Sequence, residues 1–120
     1  MQYNFDNERP IYIQLVEMLK IEIISGRIKC GEKLSSVRDF AGLLKVNPNT
    51  MQKALIELER EGLIFTERTN GKYVTNNEDL IKKEKSKLAY QLTNKYIEDM
   101  CNIGIDKFKI IDYLKNERDD

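Results

Sequence analysis

The sequence predicts a mainly α fold with one small β-hairpin, followed by a pair of helices. Three observations predict it. Apolar residues recur at helical spacing in two short runs, around Phe40 and around Leu55, joined by the turn-forming stretch Val46-Asn47-Pro48-Asn49. Directly after the second run, two β-prone segments flank Thr69-Asn70-Gly71, a strong hairpin turn. A charged helical pattern then runs from Glu78 to Asn102 and resumes beyond Gly104.

Each element has a local reason. Pro10 suits the first turn of a helix, where a missing N–H costs nothing, and Tyr12, Leu15, Val16, Leu19 and Ile23 follow at helical spacing until Ser25-Gly26. Ile28 to Gly31 is a connecting turn, and Glu32 to Leu34 a short strand. Ser35 or Ser36 N-caps the next helix, whose apolar side is Val37, Phe40, Ala41 and Leu44. After the 46–49 turn, Asn47 or Asn49 caps a third helix with Met51, Ala54, Leu55 and Leu58 on one face and Gly62 as its left-handed terminator. Leu63 to Arg68 and Lys72 to Thr75 form the hairpin. Helix, turn, helix, hairpin is the order of a winged helix-turn-helix. Asn76-Asn77 breaks the chain before the long helix, and Asp106 caps a last helix ending near Lys115. The expected boundaries are 1–75 for the winged helix-turn-helix and 76–120 for the helical region.

Composition narrows the chemistry. Of 120 residues 41% are apolar, enough for a core, and 33% are charged, which suits helices with solvated outer faces. Twenty basic and twenty acidic side chains cancel. Their distribution is uneven: Arg27 to Lys53 is net +4, whereas Glu57 to Glu67 is net −3. Histidine is absent, which removes the commonest general base and metal ligand. No phosphate-cradling loop, nucleophile elbow or metal-ligand cluster occurs, so neither enzyme activity nor a cofactor nor a metal is expected. Cys30 and Cys101 are far apart in sequence and read as free thiols. No leader or membrane span is visible, and the expected location is cytoplasmic. The last residues, from Asn116 to Asp120, read as disordered.

Pro10-Ile11-Tyr12-Ile13-Gln14-Leu15, Gly31-Glu32-Lys33-Leu34-Ser35-Ser36-Val37-Arg38, Val46 to Ala54 and Leu58-Glu59-Arg60-Glu61-Gly62-Leu63-Ile64 stand in a distinctive order and spacing. Over residues 10–75 the chain resembles the DNA-binding domain of the GntR family of bacterial repressors, and its short helical tail resembles the YtrA-like subfamily. Cys30 and Ser35 stand where that family commonly has Pro, which affects local turn rigidity. The wing, Arg68-Thr69-Asn70-Gly71-Lys72, has fewer basic residues than many.

The resemblance implies a sequence-specific transcriptional regulator that binds a palindromic DNA operator as a homodimer and represses by occupying a promoter. With Met51, Ala54, Leu55 and Leu58 turned inward, Asn49, Thr50, Gln52 and Lys53 face outward. Asn and Gln pair with adenine, Thr contacts a thymine methyl or phosphate, and Lys attracts phosphate. The family's pattern implies a phosphate or base contact for Arg38. Ser36 and Asn47 both cap helices and donate to phosphate. Gly71 permits the wing turn, and Arg68 and Lys72 reach phosphate or the minor groove. In the tail, Leu88, Leu92, Tyr96, Met100, Ile103, Phe108 and Ile111 form an apolar side too large for so short a hairpin to bury alone, which points to dimerisation. The tail is too small to enclose a pocket of ~300 Å³ within one subunit, and no effector is assigned. The competing reading is a winged-helix module that binds protein, favoured by the neutral net charge.

Overall fold

The computed structural model describes residues 4–116. Part of the tail expected to be disordered, Glu117 to Asp120, lies outside the described residues. The elements are α1 (Ile11–Ile24), α2 (Val37–Leu44), α3 (Pro48–Arg60), β1 (Ile64–Glu67), β2 (Gly71–Val74), α4 (Glu78–Asn102) and α5 (Lys107–Lys115). The chain forms two compact units, divided between Lys83 and Glu84.

The first unit is a winged helix-turn-helix. α3 packs against α1, α2 and β1. Leu15 and Leu19 of α1, Phe40 and Leu44 of α2, and Met51, Leu55 and Leu58 of α3 meet in one buried cluster, closed by Leu63, Ile64 and Val74 at the root of the hairpin. Each large aliphatic side chain so buried contributes roughly 1.5–3 kcal/mol. Leu80 and Ile81, in the first turn of α4, also pack against this core. The compact unit therefore runs past the expected boundary at Thr75.

Local capping fixes the helix ends. Ser36, not Ser35, caps α2: its Oγ accepts the Asp39 N–H at 3.1 Å. Asn47, not Asn49, caps α3, its Oδ1 accepting the Asn49 N–H at 2.7 Å. Pro48 and Asn49, expected in the turn, instead form the first turn of α3. Here Pro48 supplies a helical φ and no orphan donor. At the other end Gly62 adopts φ 81°. Its N–H bonds the Glu59 carbonyl and the Leu63 N–H bonds that of Leu58, a Schellman closure. Pro10 stands just outside α1 as its N-cap, in an extended conformation (ψ 137°), rather than in the first turn as expected.

β1 and β2 pair antiparallel, with Ile64 opposite Val74 and Glu67 opposite Gly71. The connecting turn is therefore 68–70, and Gly71 (φ 108°) opens β2 instead of ending the turn. The expected strand at Glu32–Leu34 is reduced to one bridging residue, Lys33 opposite Tyr73. The Leu34 N–H still reaches the Lys72 carbonyl (2.8 Å), and the Val74 N–H reaches that of Glu32 (2.9 Å). This anchors the free edge of β2.

In the second unit, α4 ends in another Schellman closure around Gly104. Asp106 then caps α5 through the Phe108 N–H (2.8 Å). No side chain of the 25-residue α4 is fully buried, and Ile110 is the one buried residue of α5. Among the described residues no helix is long and apolar enough to cross a membrane.

Candidate nucleic-acid interface

The helix-turn-helix turns one side of α3 into the core and leaves the other to solvent. Met51, Ala54, Leu55 and Leu58 are all buried. Asn49, Gln52, Lys53, Ile56 and Arg60, at i, i+3, i+4, i+7 and i+11, are all exposed. Asn49 and Gln52 thus project where the sequence predicts, and Thr50 is half-buried beside them. Arg38 is exposed on the first turn of α2. The side chains of Arg38, Asn49, Thr50, Gln52 and Arg68 form no hydrogen bond or ion pair with any described residue. Their donors and acceptors are open to an external partner. The ion pair between Arg38 and Asp39 that an ordinary surface would offer is not made.

Two predicted contacts are committed elsewhere. The Lys53 ammonium lies over the Tyr12 ring, 3.9 Å from its centroid, a cation–π contact that holds the charge toward α1. Lys72 is turned inward to α3. Its Nζ donates to Thr66 Oγ1 (2.8 Å) and pairs with Glu59 Oε2 (3.5 Å), and its side chain is only 17% exposed. On the wing, the open cation at the turn is Arg68. Ser36 and Asn47 have their side-chain oxygens occupied as helix caps.

Three contributors escaped the sequence reading. Ile56, 44% exposed, is an apolar side chain on the outward side of α3. Its spacing from Gln52 and Lys53 was the available signal. Tyr12, which the sequence marks only as one of the residues at helical spacing in α1, is half-buried beneath Lys53. Glu59 accepts the Thr66 hydroxyl at 2.6 Å. That hydrogen bond holds its carboxyl below the ordinary glutamate range; burial opposes the shift and the Lys72 charge reinforces it.

In the second unit, Leu88 and Met100 are half-buried. Leu92, Tyr96, Ile103, Phe108 and Ile111 are exposed, Phe108 the most at 82%. No group of three or more metal-ligating side chains occurs among the described residues.

The winged helix-turn-helix thus carries on its surface an open row of amide and hydroxyl groups on α3, the exposed Arg38 of α2 and a wing. Known proteins resemble the chain in sequence and fold. Residues 11–74 match the family described as bacterial regulatory proteins, gntR family. The HTH-type transcriptional repressor YtrA of Bacillus subtilis (strain 168) is 37% identical over 108 residues, which cover 88% of this chain and 82% of the relative. A GntR family transcriptional regulator from Listeria monocytogenes superposes with a TM-score of 0.87 at 42% identity, covering 95% of this chain and all of that one. The DNA-binding domain of AraR, solved in complex with operator ORE1, superposes at 0.53 with 25% identity, over 62% of this chain and 94% of that one. The chain belongs to the gntR family of bacterial regulatory proteins, and its winged helix-turn-helix is a DNA-binding domain of a transcriptional regulator.

Proposed function

We propose that this protein is a cytoplasmic transcriptional repressor that binds a palindromic operator as a homodimer. The observation that carries the reading is the outward side of α3. Asn49, Thr50 and Gln52 hold unpaired hydrogen-bonding groups on a helix whose other side is locked into the core. A helix so fixed enters the major groove with its N-terminal residues at the base edges. Asn49 and Gln52 read bases there, and Arg38, one helix back, neutralises phosphate. Arg68 extends the contact from the wing.

Dimerisation belongs to residues 76–120. A 25-residue helix with no buried side chain gains little stability alone, and the exposed Leu92, Tyr96, Ile103, Phe108 and Ile111 invite a second copy. Two-fold symmetry then presents two α3 helices to inverted half-sites about one helical turn apart, ~34 Å. Occupation of such a site at a promoter represses transcription.

Selection of bound sequences from random duplex DNA, followed by footprinting and sedimentation, tests this. The expected result is an inverted repeat protected by two copies. A folded protein that binds no duplex at low salt favours the alternative, a winged-helix module that holds a protein partner. A single asymmetric site bound by one copy removes the homodimer.

A further inference from the structure

We infer that Glu59 is a positioning residue for DNA recognition, which sets the wing, and with it Arg68, relative to α3. The inference rests on the proposed DNA-binding role. Its basis is a side-chain relay between three elements. The Lys72 ammonium of β2 donates to the Thr66 hydroxyl of β1, which donates in turn to the Glu59 carboxylate in the last turn of α3. Lys72 also pairs directly with Glu59 at 3.5 Å.

The position of this relay in the hairpin gives it its purpose. Thr66 and Lys72 are cross-strand partners, one register step beyond Phe65–Tyr73 and two beyond Ile64–Val74. At the root, Ile64 and Val74 are buried in the core and fix the hairpin by packing. The next pair, Phe65 and Tyr73, points to the opposite side, where the two rings stack with centroids 5.7 Å apart. At Thr66–Lys72 the same side that carried Ile64 and Val74 has run past the core. Polar bonds to Glu59 replace apolar packing there, and they are the last side-chain tie from the hairpin to α3 before the 68–70 turn. Without them the outer hairpin is held only at its root and edge, and Arg68 loses a defined place.

The relay also silences a charge. Glu59 neutralises Lys72, which leaves Arg68 as the open cation at the wing's turn. Breaking the relay at Glu59 and at Thr66 therefore has different consequences. Glu59→Ala releases Lys72 as well as the wing. Thr66→Val, nearly isosteric, removes the two hydroxyl bonds without changing any charge and leaves the direct Lys72–Glu59 pair in place.

The test uses the full-length protein, an operator obtained by selection, and a scrambled duplex of equal length, across a salt series. Glu59→Ala is expected to lower the ratio of operator to scrambled-duplex affinity roughly five-fold, the equivalent of about one hydrogen bond, and Thr66→Val, which keeps the direct ion pair, to lower it by roughly two- to three-fold. Glu59→Ala alone should steepen the salt dependence on scrambled duplex by about one unit per subunit, as Lys72 becomes available. Neither variant should lower the ratio further in an Arg68→Ala background, because both act through Arg68. Circular dichroism confirms folding; should Glu59→Ala not fold, Thr66→Val carries the test. An unchanged ratio in the folded variants overturns the inference, as do effects that multiply with Arg68→Ala, or an Arg68→Ala protein that binds operator normally. Wild-type protein that fails to distinguish any duplex overturns instead the DNA-binding reading on which the inference rests.

Discussion

The side-chain amide of Gln14 is bonded to Asp6 through both of its ends. Its Oε1 accepts the Asp6 N–H at 2.9 Å, and its Nε2 donates to the Asp6 carbonyl at 2.9 Å and to that of Arg9 at 2.9 Å. Gln14 is the one buried polar residue of the described chain, at 1% exposure. It is the peg on which the segment before α1 hangs. Gln14→Leu keeps the volume and removes these three bonds and a fourth, from Nε2 to Asp6 Oδ1 at 3.3 Å, and should cost about 1–3 kcal/mol. Urea denaturation measures the loss, and hydrogen exchange should show the Asp6 amide exposed. A variant of wild-type stability would mean that water replaces the side chain without penalty.

The cation–π contact between Lys53 and Tyr12 separates two basic residues that sequence alone treats alike. Arg38 is unpaired, so Arg38→Ala should weaken binding to all duplexes and lower the salt slope by about one unit per subunit. Lys53→Ala should lower it less, because the contact with the Tyr12 ring holds its ammonium toward α1. Gln52→Ala should leave the slope alone and relax preference at one position in each half-site, by roughly 1–3 kcal/mol. Equal slopes for Arg38→Ala and Lys53→Ala would refute the distinction.

Lys45 closes α2 with φ 57° and ψ 48°, the one non-glycine residue at positive φ among the described residues. A side chain there costs roughly 1–2 kcal/mol, part of which glycine returns as extra freedom in the unfolded chain. Lys45→Gly should therefore raise stability, by up to about 1 kcal/mol. A lower thermal midpoint would show that the Lys45 side chain makes compensating contacts.

Truncation after Lys83 should leave a stable, monomeric winged helix, since the first compact unit ends there. Truncation after Thr75 removes Leu80 and Ile81 from the core and should cost about 2 kcal/mol or more relative to the longer fragment. Sedimentation and thermal melts of the two fragments check both statements. A dimeric fragment ending at Lys83 would move the dimer contact into the winged helix.

Glu59 titrates below its ordinary range in the folded protein. The folded state thus favours the carboxylate. Its stabilising contribution is complete above the unfolded glutamate pKa and is lost as pH falls through the depressed folded value. Wild type should lose stability relative to Glu59→Gln on acidification from about pH 7 to about pH 3, the range spanning glutamate titration. The difference is small, because the side chain is 36% exposed and solvent screens the pair. Parallel pH–stability curves for the two proteins would contradict it.

Much of the architecture is local and so legible in the sequence. Apolar spacing marks the buried sides of α2 and α3. The terminators Ser36, Asn47, Gly62 and Asp106 act on backbone groups within a few residues of themselves, and a reading of neighbours finds them. The outward placement of Asn49 and Gln52 follows by subtraction once Met51, Ala54, Leu55 and Leu58 are assigned to the core. Tertiary structure decided what the long polar side chains do. Lys53 meets Tyr12, Lys72 meets Glu59 and Gln14 meets Asp6. A lysine or glutamine reaches several positions from one backbone site, and only the packing of α1 on α3 and of the hairpin on α3 brings one partner within bonding distance. The same physics explains Leu80 and Ile81. Their helical spacing is identical to that of the rest of α4, and only the core beside them marks out the turn that packs against it.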